Sequence, residues 1–108
     1  MIKPKFTNEF VKMLLYKPTL ETLLQNAKNL IPENNRELRS QQYDLIVDHL
    51  KANPGLTHQA VADCVGLKKE ACRLAIIELF DSNILVKTSS VVDKYKVAYW
   101  SISPSLYP

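Results

Sequence analysis

The interval from Asn53 to Asn83 restricts the fold of this chain more than any other, and it holds both glycines of the 108-residue sequence. Asn53-Pro54-Gly55 ends one helical pattern with a turn. Thr57 then offers a side-chain cap for a short helix from His58 to Val65. Gly66 supplies the left-handed conformation that closes that helix. After Leu67 a further helix runs from Lys68 to Phe80 and is terminated by Asp81-Ser82-Asn83. Helices joined by so short a turn cross closely, which calls for a small residue at the crossing, and Ala62 stands there. Leu67 is the apolar residue just after the turn. Cys72, Ala75 and Leu79 give the second helix its apolar face at i, i+3 and i+7.

The flanks complete a single small domain. Upstream, Asn34 and Glu37 read as a capping box for a helix from about Arg36 to Ala52. That helix is expected to bury Leu38, Leu45, Ile46 and Leu50 and to expose Arg39, Asp44, Asp48 and Lys51. Further upstream, Phe6, Phe10, Met13 and Leu14 fall at near-helical spacing until Pro18 breaks the pattern. Thr19 is then an N-cap for Leu20–Leu30, whose stripe is Leu20, Leu23, Leu24, Ala27, Leu30 and Ile31; Pro32 ends it. These two short helices must cover the rest of the domain or a second copy of the chain, so Phe10, Leu14, Leu20 and Leu24 are candidate interface residues. Downstream the period changes: Ile84–Thr88 and Val91–Ile102 are β-prone, with a break at Ser89-Ser90. Two antiparallel strands joined by a loop over Ser89–Lys94 are expected. The fold class is α+β, mainly α: a three-helix core plus a C-terminal β-hairpin over 35–108, with an N-terminal helical extension, core-completing or dimerising, over 1–34.

The order helix, turn, short helix, glycine turn, helix, hairpin resembles the winged helix-turn-helix family of DNA-binding domains, in the form of small bacterial and phage regulators. The likeness covers about residues 36–103 and is carried by LTHQAVADCVGLKKEACRLAIIELFDSNILV. It implies that Lys68–Phe80 is the recognition helix, set in a major groove of double-stranded DNA. Lys68, Lys69, Glu70 and Arg73 would then face DNA, with Arg73 forking onto a guanine edge and the lysines on phosphates. Thr57, His58 and Gln59 open the preceding helix, where backbone N–H groups commonly meet a phosphate. Lys87, Lys94 and Lys96 would lie on or beside the wing. A sequence-specific transcriptional regulator, cytoplasmic and working as a homodimer, is the implied function. The alternative is a winged-helix module that docks as an adaptor or inhibitor on a larger protein complex, or a replication or packaging component.

Composition narrows the field without choosing. Net charge is +3, divided as +2 over residues 1–34, −1 over 35–83 and +2 over 84–108. No run of basic residues suggests a membrane surface, and no apolar stretch reaches the roughly 20 residues of a membrane span. The start, MIKPKFTNEF, lacks the apolar core of a signal peptide, so an intracellular protein is expected. Cys64 and Cys72, eight apart on faces read as buried, suit neither a disulfide framework nor, with His49 and His58, a zinc site. Asp44 and Asp48 read as a solvated pair. There is no arrangement for nucleophilic catalysis and no glycine-rich phosphate loop. Neither an enzyme nor a cofactor nor a metal is expected.

Leu74 and Ile77 resist the DNA reading. They share the outward face of the third helix with Glu70 and Arg73, where a DNA-reading helix is usually polar. The wing or the N-terminal helices could cover them, Leu74 could touch thymine methyl groups, or the face could be a protein interface. The first is favoured.

Overall fold

The computed structural model describes residues 19–106. The reading of Asn8–Tyr16, and with it Phe10 and Leu14, lies outside those residues. Helix α1 spans Leu20–Asn29, α2 Arg36–Ala52, α3 His58–Val65 and α4 Lys69–Asp81. Strands β1, Leu85–Val92, and β2, Tyr95–Ile102, form one antiparallel hairpin. Three helices followed by a hairpin wing make a winged helix-turn-helix. Among the described residues no helix is long and apolar enough to cross a membrane.

Each element begins and ends for a local reason. The Thr19 hydroxyl accepts from the backbone N–H of Thr22 at 3.1 Å and starts α1. Its far end is capped by the next helix: the Arg36 guanidinium donates to the carbonyls of Ile31 and Asn29 at 3.1–3.3 Å. The expected Asn34–Glu37 capping box does not form. A 3₁₀ turn over Glu33–Asn35 puts Asn35 at the cap of α2, and its side chain makes no capping bond.

Thr57 caps α3 through the Ala60 N–H at 3.2 Å. Gly66, at φ 75°, ends the helix in the left-handed region. The carbonyl of buried Ala62 accepts from both Gly66 and Leu67 N–H, at 2.9 and 3.0 Å, which holds the turn tight. Lys68 is extended and α4 begins at Lys69. At its end Asn83 takes φ 65°, Asn83 N–H bonds Phe80 O, and Ile84 N–H bonds Leu79 O. That pairing is a Schellman motif, sealed by the fully buried Leu79 and Ile84.

The hairpin departs from expectation. β1 runs through Ser89 and Ser90, and the reversal takes only Asp93 and Lys94, at φ 49° and 72°. Two positive φ values are the geometry of a type I′ turn, whose twist matches that of the strands. The register pairs Leu85 with Ile102, Lys87 with Trp100 and Val91 with Lys96. On the other edge of β2, Trp100 N–H donates to Leu56 O at 2.7 Å, while Gly55 and Leu56 N–H donate to Trp100 O. The turn before α3 is thereby tied to the wing.

One core joins all the elements. Ala27 and Ile31 bring α1 and its following turn into contact with Tyr43, Ile46, Val47 and Leu50 of α2. Val61 and Ala62 of α3 join Cys72, Ala75, Ile76 and Leu79 of α4, and the hairpin adds Leu85, Trp100 and Ile102. Cys72, Ala75 and Leu79, the core positions expected on α4, are all buried, together with Ile76. On α2 the expected core was half wrong. Leu38 and Leu45 stand opposite the buried arc and are 63% and 46% exposed, while Tyr43 and Val47 are inside. Leu30 of the α1 stripe is likewise exposed, whereas Leu20 and Leu24 pack on the core's margin.

Asp44 is not merely solvated, since it pairs with Lys28 at 2.7 Å and pins α1 to α2. Glu78 of α4 accepts from Arg39 and, at 2.9 Å, from the Tyr43 hydroxyl of α2. Cys64 is exposed, against expectation, because α3 turns it away from the core; Cys72 is buried.

Candidate nucleic-acid interface

The first turn of α3, the outward side of α4 and the concave side of the hairpin converge on a groove of about 390 Å³. Its floor is apolar: Ile77 and Phe80 of α4 face Ala98 and Trp100 of β2. Phe80 stands edge-on to Trp100, with ring centroids 5.5 Å apart and planes at 73°. Its rim is polar: the cations Arg73 and Lys87, with His58, and Asp81 at the end of α4. Lys87 is aimed by the register, because pairing with Trp100 puts both on the face toward α4. Its ammonium sits 5.9 Å from the centre of the Phe80 ring.

His58, Arg73, Lys87 and Ile77 are thus brought together. The other candidates are arranged around that groove or away from it. Thr57 spends its hydroxyl on the α3 cap. Gln59, Lys68 and Lys69 are exposed at the starts of α3 and α4. Lys94 occupies the hairpin turn and Lys96 lies beside it on β2, both exposed. The wing tip also carries Val91 and Tyr95, 68% and 75% exposed.

Glu70 and Arg73 form an ion pair within one turn of α4. The Arg73 Nε and Nη2 groups both donate to the Glu70 carboxylate, at 3.3 and 2.6 Å. The hydrogen bond and charge of Arg73 hold the Glu70 carboxyl below its ordinary range and raise the guanidinium in turn. Both side chains are exposed, so the pair adds little to stability, but it ties up one edge of the guanidinium.

Neither the wing nor α1 covers Leu74, which remains 49% exposed; Ile77 is half-buried along the groove. The favoured explanation, cover by the wing or the N-terminal helices, is met by the wing at Ile77, while the part of it that concerns residues 1–18 lies outside the described residues. Sequence reasoning missed Phe80 and Trp100 as parts of this surface. The available signal was an aromatic residue three beyond Ile77 on the same helix, and the register that sets Trp100 beside Lys87. Among the described residues no group of three or more His, Cys, Asp and Glu could hold a metal ion.

No protein-family model matches the chain, and no curated protein matches it in sequence. Among solved structures it is similar to the PcaV transcriptional regulator from Streptomyces coelicolor, determined in complex with that protein's natural ligand. The superposition covers 96% of this chain and 69% of the other, with a TM-score of 0.53 and 20% sequence identity. At that identity the likeness is one of fold, and it agrees with the winged helix-turn-helix seen here.

Proposed function

We propose that this protein binds double-stranded DNA through the start of α4 and the wing, and acts as a small transcriptional regulator of bacterial or phage type. The observation that carries the reading is the groove, in which residues from α3, α4 and the hairpin converge with His58, Arg73 and Lys87 on its rim. Lys68, Lys69, Lys94 and Lys96, exposed at the edges of the same three elements, would extend it as phosphate contacts. The likeness in fold to a transcriptional regulator supports the same reading. A cytoplasmic homodimer would place two α4 helices on half-sites about 34 Å apart.

A titration of random-sequence duplex DNA at two salt concentrations tests this. Binding should weaken steeply with salt, and the variant K69E/R73E should abolish it. Salt-independent binding, or unchanged binding by that variant, rejects the proposal. The exposed Leu74 favours a second reading, docking on a larger protein complex. That reading expects no duplex binding even at low salt, and loss of partner capture when Leu74 or Ile77 is replaced by a charged residue.

A further inference from the structure

We propose that α4 discriminates among DNA sequences by apolar contact with the C5-methyl groups of thymine, with Leu74 as the specificity-determining residue. The inference rests on the DNA reading above and deepens it. At 100° per residue, the buried arc of α4 is Cys72, Ala75, Ile76 and Leu79. The opposite arc carries Glu70, Leu74, Ile77 and Asp81, with Arg73 on its flank. Asp81 is the last residue of the helix, far from the end that would enter a groove. The middle of the outward face therefore has one polar pair and one apolar pair.

One edge of the polar pair is closed on itself, and the Nη1 group of Arg73 makes no bond to Glu70. Guanine recognition by arginine uses two parallel N–H groups aimed at O6 and N7. In Arg73 the Nε and Nη2 groups, which form one such fork, are already directed at the Glu70 carboxylate. The Glu70 carboxylate is ionised at neutral pH, and the Arg73 hydrogen bond and charge lower its pKa further. Beside it on the same arc stands the half-exposed Leu74, with Ile77 three residues on. The thymine methyl is the one apolar group on the major-groove edges of the four bases. Covering one methyl group removes apolar surface from water and strengthens binding about fourfold. Lys68 and Lys69, exposed one turn earlier, would anchor the phosphates on either side without reading sequence.

The test compares fluorescence-anisotropy titrations of the full chain on four duplexes at one salt concentration. These are alternating dA-dT, the same duplex with deoxyuridine in place of thymidine, alternating dG-dC, and the same duplex with 5-methylcytosine. The thymine duplex should bind about fourfold tighter than the uracil duplex per methyl group contacted, and 5-methylcytosine should strengthen the G·C duplex. Leu74→Ser, with its helical circular dichroism intact, should bring the thymine-to-uracil ratio to one. Equal affinity of the unsubstituted protein for the thymine and uracil duplexes overturns the inference and leaves the DNA reading standing. Undiminished discrimination by the Leu74→Ser protein overturns the assignment to Leu74. Failure to bind any of the four duplexes at low salt overturns the DNA reading, and this inference with it.

Discussion

The two cysteines show how one residue type takes opposite roles within eight positions. Cys72 is fully buried between α4 and its neighbours, and burial pushes its thiol up to about 11. Cys64 faces solvent. Under native conditions a thiol reagent should therefore modify Cys64 rapidly and Cys72 only on unfolding, which mass spectrometry of the labelled peptides would read. The same burial makes a pH prediction. A folded-state value above the ordinary thiol value of about 8.5 favours the neutral form, so its contribution is complete below about pH 8.5. It should be lost as pH rises toward 11. Burial raises the Tyr43 hydroxyl in the same direction, against the opposing pull of the Arg39 charge and hydrogen bond. Urea midpoints should accordingly fall between pH 8 and 11, and Cys72→Ala should flatten that decline. The burial of Cys72 was legible from its place in the i, i+3, i+7 pattern of α4. That of Tyr43 was not, because its hydroxyl suggests a surface residue until Glu78, 35 positions away, appears as its acceptor.

The elements were legible wherever a single residue enforces a backbone conformation. Thr19, Thr57 and Gly66 each act through atoms within four residues of themselves, so their helix ends could be read directly. The reversal of the hairpin could not, because Asp93-Lys94 is not the Asn-Gly or Asp-Gly pair that such a turn favours. Lysine bears the left-handed conformation there at a cost of roughly 1 kcal/mol. Lys94→Gly should therefore raise stability by about that amount, read as a higher urea midpoint with an unchanged slope. Ser89 and Ser90 continued the strand despite their turn propensity because β1 is exposed beyond Val86, where no packing penalises a short polar side chain. The face of α2 was misread for a different reason. Leu38 and Leu45 are as apolar as Ile46 and Leu50, and only the placement of α1, α3, α4 and the hairpin decides which side of the helix is covered. The groove was half legible: the sequence marked His58, Arg73 and Lys87 through the family resemblance, while its aromatic floor depends on strand register and on how the wing meets α4.

At the scale of the whole molecule, α1 and the turn after it share the core of the other elements. Ile31 is 2% exposed and Ala27 4%, in the same cluster as residues of α2, α4 and the hairpin. Ile31→Ala should therefore destabilise the entire described unit by about 2–5 kcal/mol, the usual cost of a cavity of that size. Helix melting by far-ultraviolet circular dichroism and loss of tertiary signal should shift together, while a lag between them would mean that α1 unfolds alone.

The chain has one tryptophan. Its backbone N–H and carbonyl are both bonded to the Gly55-Leu56 segment, its position in the register is opposite Lys87, and its ring forms part of the groove floor against Phe80. A single indole, separable from the tyrosines by excitation at its red edge, thus stands at the junction of scaffold and groove. Its emission maximum carries the state of the interior, and its quenching carries the arrival of a ligand, so an unlabelled sample supplies both signals from one excitation.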